Sequence, residues 1–197
     1  GKGFSCLAEI KSFQGKKIEV ELIEKKIFKP RQGIDIFLGL SLVKPEPFRF
    51  SIQKATELGV VSISPLDSER TVVNLNENSK ISRIKRWVNI TIGACQQCGE
   101  DWLPEIKKIQ ALENWSKTNE AKHKIVLYPK AKTKITDLKF NKSVTVAVGP
   151  VGDFTKEEIT LLEKNNFIAV SLGKRILRTE TAVVSSLSAI RTMCREF

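Results

Sequence analysis

A chain of 197 residues, 41% hydrophobic and 28% charged, can bury a sizeable core in one or two compact domains and does not have the composition of a disordered segment. No apolar run approaches the roughly 20 residues of a membrane span, and Gly1–Glu9 lacks the apolar centre of a secretion signal, so a cytoplasmic protein is expected. Thirty-three Lys and Arg against 22 Asp and Glu give a net charge of +11, of which residues 41–149 carry +7. That excess favours a polyanionic partner, because each neutralised phosphate releases condensed counterions.

The first forty residues read as three short strands, Ser5–Ile10, Ile18–Ile23 and Asp35–Leu40, with turn signals at Gln14-Gly15 and Arg31-Gln32-Gly33. Three such strands make part of a small barrel, as if the beginning of a domain were absent. After Lys44-Pro45-Glu46-Pro47 the period changes. Phe48, Ile52, Ala55 and Leu58 recur at helical spacing and Gly59 suits the residue after a helix end. Val60–Ile63 is expected as a strand and Ile81–Ala94 as a helix with Ile84, Trp87, Val88 and Thr91 on its buried stripe. Ile125–Leu127 and Thr145–Val148 have the β-branched character of buried parallel strands. Thr155–Lys164 opens with a capping box, Thr155 and Glu158; Phe167–Leu172 is a further strand and Thr179–Arg195 a closing helix. The alternation from residue 48 onward predicts an α/β fold with a mostly parallel sheet.

The cysteines, Cys6, Cys95, Cys98 and Cys194, are too scattered for a disulfide scaffold. Cys95 and Cys98 have the spacing of half a zinc site, but no second pair follows and His123 is the only histidine. No metal is expected, and the thiols read as reduced core residues on or beside a helix.

Two segments carry chemistry. Val148-Gly149-Pro150-Val151-Gly152-Asp153-Phe154-Thr155 leaves a strand and enters a capped helix, at the kind of strand end where α/β sheets bind ligands. It matches neither common phosphate-loop pattern, and a plain tight turn is the competing reading. Leu172-Gly173-Lys174-Arg175-Ile176-Leu177-Arg178-Thr179-Glu180-Thr181 places three cations at a helix start, where a structural cap would need only Thr179 and Glu180. Cations beside a positive helix end are costly unless an anion arrives, and Ile176 and Leu177 could wall an adenine pocket.

Ser171–Ala182 closely resembles the signature of the RsmE family of uridine N3-methyltransferases acting on small-subunit (16S) ribosomal RNA. Lys44–Phe48, Gln53–Gly59, Ser68–Arg70, Ala94–Gln97 and Pro104–Ile106 resemble that family's other landmarks in the same order. The resemblance implies a SPOUT-type domain over residues 43–197 with a C-terminal trefoil knot, preceded over residues 1–42 by part of a PUA-like RNA-binding β-barrel. It also implies S-adenosylmethionine as cofactor, a homodimer, and ribosomal RNA as partner. Carried over by position, Leu127, Tyr128, Pro129, Gly149, Pro150, Gly152, Leu172, Gly173, Ile176, Leu177 and Thr179 would hold the cofactor. Arg178 and Glu180 would act near the reacting atoms, with Glu180 orienting Arg178 or accepting a proton. Arg49, Lys54, Arg70, Arg86 and Arg175, together with Arg83 and Lys85, are candidates for gripping RNA, although Glu57 and Arg70 could instead pair internally.

One departure stands out. The family loop reads Gly-Pro-Glu-Gly-Gly, whereas this chain has Val151 in place of the carboxylate and Asp153 in place of the last glycine. An RNA-binding protein that has lost the cofactor, or a SPOUT enzyme with another RNA target, are the alternative readings.

Overall fold

The computed structural model describes residues 3–28, 33–71 and 77–197. The expected turn at Arg31-Gln32-Gly33 falls partly outside them, because Arg31 and Gln32 are not among the described residues.

Phe4–Gln14 (β1) and Lys17–Ile27 (β2) form a two-stranded antiparallel ribbon turning at Gly15. Directly opposed residues share a face, and the register pairs Ala8 with Leu22, Ile10 with Val20 and Phe13 with Ile18. Lys11 bridges Glu9 and Glu21, at 2.6 and 2.8 Å, and relieves the like-charge pair those two would otherwise make. The apolar pairs are uncovered: Phe13 is 70% and Leu22 66% exposed. At the ribbon's base the Gly3 N–H donates to the Asp101 carbonyl, and the Trp102 ring occupies the space a Cβ on Gly3 would need.

Asp35–Ser41 (β3) does not extend that ribbon, contrary to the sequence expectation of a third barrel strand. It lies inside a parallel sheet, between Ser62–Asp67 (β4) and Ser143–Val148 (β8). The cause is visible in the residues: Ile34, Ile36, Leu38, Leu40 and Leu42 bury one face, and on the other Gly39 lies under Trp115 and Ser41 is buried, so the strand is covered on both faces. The parallel sheet therefore begins at residue 35, ahead of the boundary expected at 43.

The sheet order is β5-β4-β3-β8-β7-β9, with β5 at Glu105–Ile106, β7 at His123–Leu127, β9 at Ile168–Val170, and Gln110–Ala111 (β6) also paired with β4. Every pairing in it is parallel. β4 starts and ends later than the expected Val60–Ile63 and runs through Pro65. The Ile63 carbonyl accepts from Lys107, and two residues on, along the same strand edge, the missing N–H of Pro65 falls between the short partners β5 and β6.

Alternate residues of the strands feed two cores. Ile36, Leu38, Leu40, Ile125, Leu127, Val146 and Val148 face the helices Pro45–Glu57 (α1), Glu77–Cys98 (α2) and Thr179–Met193 (α5), with Phe48 against Trp87 at 4.6 Å. Leu66, Val126 and Ala147 face Leu112–Lys117 (α3) and Lys156–Lys164 (α4). On that second face the Trp115 ring fills the space that a Cβ on Gly39 would need. α1 ends as its sequence indicates, with Gly59 at φ +74, and α4 opens on the Thr155–Glu158 capping box.

Arg191 on α5 locks the end of the chain to its early part. Its side chain is 12% exposed and pairs with Glu196, while its guanidinium donates to the carbonyls of Leu58, Ile34 and Gly59; Glu196 in turn accepts from the Ile34 N–H. A buried cation is tolerable only when its donors are satisfied in this way. Cys95 is buried on α2 as expected, but Cys98, at the end of that helix, is exposed and not a core residue. No described helix is long and apolar enough to cross a membrane.

Candidate active site

Because all the strands of the main sheet are parallel, their carboxyl ends share one edge. The loops after β7, β8 and β9 leave adjacent positions of that edge, as ligand-binding loops of α/β sheets do. Hydrogen bonds join them. The Tyr128 N–H donates to the Val170 carbonyl at 2.8 Å, Ser171 exchanges backbone bonds with Thr133 and Ile135, and Thr179 Oγ1 donates to the Gly149 carbonyl at 3.2 Å. The expected loops 127–129, 149–154 and 172–179 are thus brought together.

Their residues divide by burial. Leu127 packs its side chain into the core, and Gly149, Pro150 and Thr179 are also buried. Tyr128, Leu172 and Leu177 are half-buried, whereas Pro129, Gly152 and Gly173 are exposed. Val151 is 73% and Ile176 87% exposed, so both are free to contact a ligand at this edge. Thr179 is not the cap expected of it. Arg178 occupies the N-cap position without a capping side chain, and the Thr179 hydroxyl is used to tie α5 to the loop after β8.

Among the described residues, the side chains of Lys174, Arg175, Arg178 and Glu180 have neither a hydrogen-bond nor an ion-pair partner. The orientation of Arg178 by Glu180 expected from the sequence is therefore absent here. Three unpaired cations precede α5, whose free N–H groups and dipole already favour negative charge. The edge is therefore electropositive and open, with apolar Ile176 and Leu177 beside it.

The loop after β8 is tightly built. Gly152 has φ +88 and Asp153 φ +66, so the aspartate sits in a backbone region normally left to glycine. It manages by folding back: Asp153 Oδ1 accepts from the Phe154 N–H at 2.8 Å, and the Asp153 N–H donates to Pro150 at 3.0 Å. Burial pushes the Asp153 carboxyl above its ordinary value; the Phe154 N–H, Arg70 and Lys130 pull the other way. A Cβ on Gly149 would lie 3.0 Å from both Asp153 Oδ1 and the Phe154 nitrogen. By contrast a Cβ on Gly173, at φ +123, would meet nothing within 4 Å. The backbone there is accessible to a ligand.

The basic residues expected to grip RNA are dispersed. Arg49 pairs with Glu46 and Lys54 with Glu57, both within α1. Glu57 and Arg70 do not pair. Arg70 donates instead to the carbonyls of Gly152 and Asp153, a connection that the 82-residue separation kept out of local sequence reasoning. Lys85 and Arg86 are exposed on α2, with Arg83 half-buried. No group of three or more metal-ligating side chains is placed to hold an ion among the described residues.

Residues 30–191 match the RNA methyltransferase domain family. The ribosomal RNA small subunit methyltransferase E of Buchnera aphidicola is 38% identical over 93% of this chain and 76% of its own length. A protein from Legionella pneumophila, solved with its bound cofactor SAM, superposes with a TM-score of 0.93 at 31% identity, covering 98% of this chain and 80% of that one. The ribosomal RNA small subunit methyltransferase E of Neisseria gonorrhoeae, bound to S-adenosyl methionine, gives 0.88 at 30% identity with the same coverage. With its parallel sheet and its three joined loops, the chain belongs to the RNA methyltransferase family, among the relatives called ribosomal RNA small subunit methyltransferase E.

Proposed function

We propose that the protein transfers the methyl group of S-adenosylmethionine to N3 of a uridine in small-subunit ribosomal RNA. One observation carries the reading: three hydrogen-bonded loops at one sheet edge, with exposed aliphatics and unpaired cations, in a chain that superposes on SAM-bound relatives. The residues fit such a ligand. Gly173 leaves its backbone open at positive φ, while Leu172, Leu177 and Tyr128 offer half-buried walls for adenine and ribose, with Leu127, Pro129, Gly149, Pro150, Gly152, Ile176 and Thr179 around them.

The cofactor supplies an activated methyl on a neutral leaving group. The chain's own work is positioning and charge. The S–CH3 bond breaks as the N3–CH3 bond forms, and the N3 proton leaves, so negative charge develops on the uracil before or during transfer. Arg178, exposed and unpaired at the start of α5, would stabilise that charge at O2 or O4, and the neighbouring Glu180 would accept the proton. N3 lies on the Watson–Crick edge, so the uridine must be unpaired or flipped. Arg86 and Arg175, exposed and basic, suit backbone phosphates.

The same reading extends to architecture. Ser171 runs beside Thr133–Ile135, and α5 returns across β8 to pack on α1, which is consistent with a C-terminal trefoil knot. The uncovered apolar face of β1–β2 suits a fragment of a PUA-like barrel, with the SPOUT domain starting at β3. Phe50 and Ile92, exposed on α1 and α2, suit a homodimer contact.

Calorimetric titration with S-adenosylmethionine, followed by incubation with unmodified small subunits and mass mapping of the RNA, tests the proposal. A methyl group found on uridine N3 supports it, and transfer to another base or RNA redirects it. A second reading, a fold-retaining RNA binder without cofactor, is favoured by the left-handed Asp153. Folded protein that binds the RNA but neither binds S-adenosylmethionine nor transfers its methyl group would support that one.

A further inference from the structure

We propose that Arg70 is a positioning residue for the donor-binding loop, bracing Gly149–Phe154 from the neighbouring loop after β4 instead of gripping RNA. The inference rests on the S-adenosylmethionine reading above.

The loop needs an external support. Asp153 holds a left-handed conformation that is strained for an L-residue, and its own bonds to Pro150 and Phe154 are local. Arg70 reaches it from 82 residues away. Its Nη1 donates to the Gly152 carbonyl and lies 3.5 Å from that of Asp153, so one cation serves the carbonyls of both positive-φ residues. Its stem covers the open side of Gly152, 3.8 Å from where a Cβ would stand.

The base of the brace is itself fixed. The Glu69 N–H donates to Glu158 Oε1 at 2.8 Å, the Thr155 hydroxyl donates to Glu69 Oε2 at 3.1 Å, and the Ser68 N–H donates to Thr71 Oγ1 at 3.0 Å. Segment 68–71 is thereby bolted to the N-terminus of α4, the helix into which the loop runs. Arg70 then closes a ring of contacts from β4 to α4 and back to the loop. Charge acts in the same direction, because Arg70 and Lys130 both favour the Asp153 carboxylate that burial disfavours. A guanidinium suits the role better than an ammonium, since it is more weakly hydrated and its donors are fixed in a plane. An arginine engaged in this way has less to offer a phosphate.

The test uses the full chain and its Arg70→Ala, Arg70→Lys, Asp153→Gly and Arg70→Ala/Asp153→Gly variants, with thermal melting to confirm that each is folded. Calorimetry with S-adenosylmethionine and no RNA should show binding about tenfold weaker for Arg70→Ala, with partial rescue by Arg70→Lys. KM for S-adenosylmethionine should rise more than kcat falls. With glycine at 153 the loop is relaxed, so removing Arg70 from the Asp153→Gly protein should weaken binding less than threefold, roughly half the logarithmic effect. Affinity for RNA and its salt dependence should match those of the parent chain. Unchanged donor affinity in Arg70→Ala, together with weaker and less salt-sensitive RNA binding, would overturn the inference and return Arg70 to the RNA interface. Failure of the parent chain itself to bind S-adenosylmethionine would overturn the site reading, and this inference with it.

Discussion

The two loops that flank the end of β7 are built in opposite ways. The loop after β8 is braced from every side: Thr179 donates to Gly149, Arg70 to Gly152, Phe154 to Asp153, and α4 begins on a complete capping box. The loop after β9 has Ser171 bonded to Gly173 at its start and then an exposed run from Gly173 to Ile176 whose cations find no partner among the described residues. The first is preorganised, and its cost is met in folding. The second keeps its charges free, so its interactions are made only when a ligand arrives. Catalysis gains from interactions saved for the transition state, whereas a rigid wall limits the entropy lost on binding.

That contrast can be broken most severely at Arg178. Replacing it with Ala should lower kcat at least a hundredfold while leaving urea-unfolding stability within about 0.5 kcal/mol, since the side chain has no intramolecular partner to lose. A stability loss matching the activity loss would show that both loops are structural. Gly149→Ala probes the braced side. Its Cβ would press on the Phe154 nitrogen and Asp153 Oδ1, so we expect a loss of about 1–3 kcal/mol in urea unfolding together with weaker donor binding.

Asp153→Asn is gentler and depends on pH. Asn tolerates the left-handed region and its amide oxygen can still accept from Phe154. The folded-state pKa of Asp153 is raised, so the stability linked to its protonation is fully present below the unfolded value and is lost as pH rises through the folded one. The Asn variant escapes that loss. It should be at least as stable as the parent at neutral pH, with any advantage shrinking on acidification; an advantage that grew in acid would reverse the sign. Smallest is Ile176→Ser. At 87% exposure the side chain contributes nothing to packing, and melting should not shift, while affinity for donor or target uridine should fall a few-fold if ligand covers it.

Much of the site was legible because its signals are local. The Thr155–Glu158 capping box, Gly59 after α1 and the apolar runs of β7 and β8 each lie within a few residues, where steric and hydrogen-bonding rules act directly. The errors came from long-range partners. Asp35–Leu40 is a competent strand in either sheet, and only its burial on both faces, which depends on Trp115 lying over Gly39 from far along the chain, assigns it to the parallel one. Thr179 has the side chain of a helix cap, but Gly149, 30 residues earlier, claims its hydroxyl. Likewise the partners of Arg70 are loop carbonyls 82 and 83 residues away, which no spacing rule reaches.

The clasp of Arg191 and Glu196 on Ile34, Leu58 and Gly59 also has a temporal meaning. During synthesis β3 leaves the ribosome early, yet the N–H of Ile34, just ahead of it, is satisfied by a residue 162 positions later. Loop closure over that span is entropically slow, and contacts so distant in sequence delay folding. The lead-in to β3 must therefore wait, incompletely tied, until Arg191 and Glu196 have been made. A chain cut before Arg191 should be cleaved faster by protease around Ile34 and Gly59 than one that extends through Glu196.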